Sequence, residues 1–234
     1  MTQPFIPYGR QQIDDDDIAA VTAVLRGDWL TTGPAVVAFE KALVAATGAH
    51  FAVANSNGTA ALHMSLMALQ LGPGDAIIAP SLTFLATANA ARFVGAEVVF
   101  ADVDAETGLM TAETLDAAFA RTPNGLSVKA VLPVHLRGLP VDLPALKAVA
   151  DRHSATLVED AAHAIGARYI SDNRLVAVGS CRESQMACFS FHPVKTIAMG
   201  EGGAVTTNDP ALAERLRRAR SHGMVNDPEH LTNR

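Results

Sequence analysis

From Phe51 onward, short apolar runs alternate with stretches in which apolar side chains recur every three or four positions. The runs cover 51–54, 76–79, 98–101, 130–134, 156–158, 187–189 and 204–206, and the helical patterns between them include 60–71, 87–94, 111–120 and 143–152. Continuous apolar runs of this length suit strands covered on both faces, and their regular exchange with amphipathic helices builds βαβ units. The pattern predicts an α/β fold in three α/β/α layers, around a mostly parallel sheet of roughly seven strands. The connection over 191–203 breaks the rule: it has no helical period and ends in Gly200-Glu201-Gly202-Gly203. A parallel crossover needs a helix, so the last strand is expected to run antiparallel to its neighbours.

Ahead of these units, Asp14 to Asp17 precede Ile18, Val21, Val24 and Leu25, whose spacing fits one face of a helix that stops near Gly27. The acidic run then caps the helix and complements its dipole. A metal site built from the same aspartates is not expected, because adjacent carboxylates in a first helical turn point in different directions.

Composition bounds the picture. A chain of 234 residues, 49% hydrophobic and 18% charged, holds one large α/β domain, or one domain and part of another, with a sizeable core. A formal charge of -6, from 24 acidic and 18 basic residues, offers no footprint for a nucleic-acid backbone or an anionic membrane. The two cysteines, Cys181 and Cys188, suit reduced residues of a cytoplasmic protein. No basic and apolar leader opens the chain and no long apolar segment interrupts it, so neither secretion nor membrane insertion is expected.

In open α/β sheets ligands gather beyond the carboxyl ends of the strands. Four segments sit there. Asn55-Ser56-Asn57-Gly58-Thr59 leads from a strand into a helix, where free amides, a glycine and a hydroxyl would cradle one phosphate; an ordinary N-cap turn is the plainer alternative. No dinucleotide or nucleoside-triphosphate loop motif occurs. Thr83-Phe84 follows the second strand, and its aromatic ring would either stack on a flat cofactor or join the core. Glu159-Asp160-Ala161-Ala162-His163 follows the fifth run; a buried carboxylate there needs a cationic or hydrogen-bonding partner, which a pyridine nitrogen would supply, or else it caps the next turn. The fourth segment is Phe189-Ser190-Phe191-His192-Pro193-Val194-Lys195. Lysines are scarce (Lys41, Lys129, Lys147 and Lys195), and only Lys195 lies in an apolar, glycine-rich loop, where burial would lower its pKa as imine chemistry requires. A solvent-facing loop lysine is the alternative.

In this order the segments resemble the DegT/DnrJ/EryC1/StrS family of sugar aminotransferases, among the fold type I pyridoxal-phosphate (PLP) enzymes. The resemblance rests on Ser190 to Lys195 with Gly200 to Gly203, on Glu159 to His163, and on Asn57-Gly58-Thr59-Ala60-Ala61-Leu62, and it spans nearly the whole chain. It implies that Lys195 carries the cofactor covalently and moves protons, that Asp160 pairs with the pyridine nitrogen, and that Gly58, Thr59, Ala60 and Ser190 hold the phosphate. It further implies that Phe84 stacks on the ring, that His163 lies near the ring hydroxyl, and that His135 faces the substrate. Family members that dehydrate sugars carry histidine at the lysine position, so Lys195 favours amination.

Ile6-Pro7-Tyr8-Gly9-Arg10-Gln11 and Asp28-Trp29-Leu30-Thr31-Thr32-Gly33-Pro34 look most like the aminotransferases that make the 4-amino precursor of pseudaminic acid, with Tyr8 on the substrate side. The implied substrates are a UDP-linked 4-keto-6-deoxy hexose and glutamate, and the implied assembly is a homodimer with its sites at the subunit interface. By the same resemblance, 1–35 is an N-terminal helical segment, 36–225 the PLP-binding large domain, and 226–234 the start of a connection to a C-terminal small domain beyond the given sequence. Three alternatives stay open: a catalytically idle fragment, an aminotransferase for another 3- or 4-amino sugar, and a PLP lyase or racemase on the same fold.

Overall fold

A computed structural model describes residues 5, 7 and 9–224. Its elements run α1 (Asp15–Leu25), α2 (Pro34–Thr47), β1 (Phe51–Asn55), α3 (Gly58–Ala68), β2 (Asp75–Pro80), α4 (Leu85–Phe93), β3 (Glu97–Ala101), α5 (Ala112–Ala120) and β4 (Ser127–Val131). The second half continues with α6 (Leu143–Arg152), β5 (Thr156–Asp160), β6 (Arg168–Ser171), β7 (Arg174–Ala177), β8 (Met186–Ser190), β9 (Gly203–Thr207) and α7 (Pro210–Arg220).

Seven strands form the main sheet in the order β1-β9-β8-β5-β4-β2-β3. Pairings from β8 through β5, β4, β2 and β3 are parallel, whereas β9 is antiparallel to both β8 and β1. The expected antiparallel last strand is therefore β9. Because it returns beside β8, the intervening segment needs no crossover helix and remains a loop at the carboxyl end of β8.

Alternate side chains of each strand enter two separate cores. Ile77, Val158, Cys188 and Val205 pack under α3, α4 and α7 through Leu62, Leu66, Ala90 and Leu216. Ile78, Leu157, Ala187 and Phe189 pack on the opposite face against Leu43 of α2, Leu115 of α5 and Leu146 of α6. Covering both faces makes the central positions of the strands apolar, which is why they read as unbroken runs rather than alternating ones.

Helix α1 starts where the acidic run predicts. Asp14 accepts hydrogen bonds from the Asp16 and Asp17 amides, and the Asp14 amide in turn donates to the Asp17 carboxylate. No residue of α1 is buried, so its apolar stripe faces outward among the described residues.

Two differences from the sequence expectation have simple causes. Strand β4 begins at Ser127, three positions before the apolar run, because Ser127 and Lys129 point to solvent at the start of the sheet and carry no hydrophobic mark. The chain after β4 stays extended: the Leu132 amide donates to the Ile78 carbonyl at 2.8 Å, and Val134 bridges to Asp160. The hairpin β6–β7 was not expected from the pattern: the apolar Ile170 and Leu175 are 69% and 63% exposed while the polar Ser171 is buried beside Tyr169, so hydrophobicity does not follow burial there. Its turn residues Asp172 and Asn173 both adopt positive φ, 48° and 57°, the form that two-residue hairpin turns favour.

Phe189 lies at the centre of β8 with no exposed surface. Phe189→Ala should cost about 3–5 kcal/mol, read as a lower urea midpoint with an unchanged slope.

Candidate functional site

The carboxyl ends of β1, β2, β5 and β8 border a cavity of about 640 Å³. Its walls include Gly58 and Thr59 after β1, Thr83 and Phe84 after β2, Asp160 and His163 after β5, and Ser190 and Lys195 after β8. Seven of the residues singled out in the sequence thus meet in one place: Gly58, Thr59, Phe84, Asp160, His163, Ser190 and Lys195.

At the cradle, Asn57 caps α3 by accepting the Ala60 amide at 2.8 Å. Ala60 therefore departs from expectation: its N–H already belongs to the cap, and the residue is not in the cavity wall. The Gly58 and Thr59 amides have no acceptor among the described residues, and they stand at the positive end of α3. A Cβ at Gly58 would lie 2.7 Å from Ser190 Cβ and 3.1 Å from Ser190 Oγ, so only glycine lets the Ser190 hydroxyl close the cradle. Two free amides, two hydroxyls and a helix N-terminus suit one phosphate group.

Asp160 ends β5 with 4% of its surface exposed. Its Oδ2 accepts the Thr87 hydroxyl at 2.7 Å and its Oδ1 the Ala162 amide at 3.2 Å, and it makes no salt bridge among the described residues. A carboxylate accepts about four hydrogen bonds, so capacity remains for a donor in the cavity. In the same cavity, burial pushes the half-buried Lys195 amine below its ordinary pKa, and the charge of Asp160 opposes that fall. His163 is likewise lowered, by burial and then by Lys195, against the pull of Asp160. Its Nδ1 accepts the Arg137 amide at 3.2 Å, so a neutral ring carries its proton on Nε2.

Phe84 is the N-cap of α4 and stands 73% exposed at the cavity. A ring so placed is free to cover the face of a planar group.

His135 is a correction. It has no exposed surface and is not in the cavity wall. Its Nδ1 accepts the Val141 amide at 3.2 Å, which leaves Nε2–H to donate to Glu159 at 3.0 Å. Glu159, equally buried, also accepts from Ser184 Oγ at 2.5 Å and from the Gly179 amide at 3.3 Å. The apolar strand before it carries His135 into the interior, where it joins a buried network with Glu159 rather than the cavity wall. Tyr8 lies outside the described residues.

Sequence reasoning missed Thr87, whose hydroxyl reaches Asp160, and left His192 and Glu201 without a role although both line the cavity. Thr83 and Thr87 are four apart at a helix start, a spacing that puts hydroxyls on one side. That was the available signal.

A mostly parallel seven-stranded sheet with one antiparallel strand beside β1, flanked by helices on both faces, is the architecture of the fold type I PLP-dependent transferases. The chain belongs to the DegT/DnrJ/EryC1/StrS aminotransferase family, which it matches over residues 11–233. It is similar to S. venezuelae DesV, solved with a ketimine intermediate, at 39% identity and a TM-score of 0.81, covering 92% of this chain and 55% of that one. Spr1654 from Streptococcus pneumoniae in its PLP-form is 29% identical with a TM-score of 0.82, over 91% of this chain and 57% of that one. Helicobacter pylori PseC, an aminotransferase involved in the biosynthesis of pseudaminic acid, is 29% identical with a TM-score of 0.82, over 94% of this chain and 57% of that one. The chain thus spans little more than half the length of these relatives. No helix among the described residues is long and apolar enough to cross a membrane.

Two predictions follow from the geometry. Gly58→Ala should weaken inorganic phosphate or PLP binding at least about tenfold, because the new methyl group takes the space of the Ser190 side chain; calorimetric titration reads it. For Lys195 the sign is downward: a lowered pKa means the neutral amine appears at lower pH than in a free lysine side chain. The pH profile of trinitrobenzenesulfonate labelling at Lys195, read by peptide mapping, should be displaced to lower pH relative to a blocked lysine amide; coincident profiles would contradict the burial argument.

Proposed function

We propose that the chain is the cofactor-binding part of a PLP-dependent sugar aminotransferase. The observation that carries this reading is that Lys195 and Asp160 line one cavity together with the Gly58–Ser190 cradle. The cofactor, when bound, supplies an electron sink that acidifies the α-carbon of an amino donor.

The protein's own residues divide the remaining work. The Gly58 and Thr59 amides with the Thr59 and Ser190 hydroxyls would hold the phosphate, and Phe84 would cover one face of the ring. Asp160 would keep a proton on the ring nitrogen; a carboxylate buried without a salt bridge strongly favours an N–H⁺ partner. His163, with its Nε2–H available, would donate to the ring hydroxyl. Lys195 would anchor the cofactor, then, once displaced by the donor amine, take the proton from the donor α-carbon and later return a proton to the carbon that receives nitrogen. A lowered amine pKa supports both roles, because base and nucleophile must be neutral.

On the substrate side the reading is a nucleotide-linked keto-sugar, with glutamate as donor. Within the family, the segments around Tyr8 and Trp29 and the likeness to PseC support a UDP-linked 4-keto-6-deoxy hexose on a pseudaminic acid route. A cytoplasmic homodimer belongs to the same reading. It is supported by apolar side chains left outward on α1, Ile18 at 56%, Val21 at 61% and Leu25 at 65% exposed, and near the cavity by Phe84 at 73% and Leu85 at 67%.

The test is the absorbance spectrum of the protein with PLP, before and after glutamate. A visible band that borohydride fixes onto the Lys195 peptide, and that glutamate bleaches, is expected. Lys195→Ala should lose band and fixation together; a reducible band persisting in that variant would overturn the assignment.

A further inference from the structure

The first turn of α4 is bonded to the end of β5 through side chains rather than backbone. Thr87, with no exposed surface, donates its hydroxyl to Asp160 Oδ2 at 2.7 Å. Thr83 Oγ lies 2.8 Å from Thr87 Oγ. A threonine hydroxyl has one proton, and that of Thr87 is committed to the carboxylate; the proton between the two threonines must therefore come from Thr83. The result is a directed chain, Thr83 to Thr87 to Asp160. The same turn carries Phe84, whose carbonyl accepts the Thr87 amide at 3.1 Å.

We propose that Thr87 is a positioning residue: its hydroxyl, set in direction by Thr83, fixes the Asp160 carboxylate and ties it to the turn that presents Phe84. The inference rests on the PLP reading, in which Asp160 meets the ring nitrogen and Phe84 the ring face.

Three physical points support it. A carboxylate held by a single backbone contact, here the Ala162 amide at 3.2 Å, can still rotate about its side-chain torsions; a second bond at the other oxygen removes that freedom before any ligand arrives. A buried hydroxyl that donates to a carboxylate also keeps the negative charge in place, which is the form that grips a protonated nitrogen. Finally, with its proton committed, Thr83 shows the cavity only lone pairs. It can therefore accept from a ligand donor and cannot donate to one.

The test compares Thr87→Val, which keeps shape and removes the hydroxyl, with Thr87→Ser, which keeps the hydroxyl, and with Asp160→Ala. Three quantities are read on the 234-residue chain: PLP affinity, the 15N shift of ring-labelled PLP, and the 13Cγ shift of Asp160 without PLP, assigned through Asp160→Asn. Thr87→Val should weaken PLP about tenfold, move the ring 15N shift toward the unprotonated range, and displace the Asp160 signal. Thr87→Ser should restore all three.

A Thr87→Val protein with wild-type affinity and both signals unmoved overturns the proposal, as does a Thr87→Ser protein that behaves like Thr87→Val. Asp160→Ala separates the two layers of argument. If it leaves affinity and the 15N shift unchanged, the PLP reading fails, while the Asp160 13Cγ signal still decides whether Thr87 holds the carboxylate.

Discussion

The structure sets a carboxylate out of water at the end of a central strand and gives it no salt-bridge partner among the described residues. Asp160 is held by the Thr87 hydroxyl and the Ala162 amide, and neither neutralises it. An arrangement of this kind costs stability unless something else in the fold repays it, and a cationic ring nitrogen in the adjoining cavity is the partner its position suits. The other features of the site are measured from this point: Lys195 and His163 both feel its charge, and Phe84 shares a helical turn with the residue that holds it.

Strand order explains how these groups meet. Asp160 pairs in register with Cys188, so the ends of β5 and β8 lie side by side, and Ser190 sits just beyond. Were β9 parallel to β8, its connection would climb back over a face of the sheet and carry Lys195 away from the strand ends. Running antiparallel instead, it lets 191–202 remain above those ends. Gly203, at the start of β9, lies so close to Asn55 and Asn57 that a Cβ there would overlap both. The antiparallel strand thus sets β8 and the cradle side by side. The lysine, the hydroxyl of Ser190 and the free amides of α3 come together as a consequence of one reversal in strand direction.

Much of this could be read from the chain because its signals were local. The strands are buried on both faces and so appear as unbroken apolar runs; the α1 cap is written in Asp14 to Asp17; the antiparallel β9 follows from a connection with no helical period. What was not legible depended on the third dimension. His135 follows an apolar run, like Asp160, yet one points into a buried network with Glu159 and the other borders the cavity; period alone does not say which side of the sheet's edge a side chain takes. The Ala60 amide looks available in the sequence but is taken by Asn57, whose cap was visible while its choice of partner was not. The hairpin β6–β7 buries Tyr169 and Ser171 and exposes Ile170 and Leu175, so its apolar residues do not mark its inner face.

An amine and a carboxylate make different demands on their surroundings, and the cavity treats them differently. Asp160 is nearly closed off yet bonded to a hydroxyl and an amide, which stabilise charge at short range. Lys195 is only half-buried, and burial lowers its pKa against the opposing charge of Asp160. Bringing the two into contact as a salt bridge would cancel both effects: the amine would be charged and the carboxylate spent. Holding them in one cavity without an ion pair between them leaves the amine and the carboxylate each available to a ligand. Two different segments do this, the end of β5 for the acid and the loop after β8 for the amine.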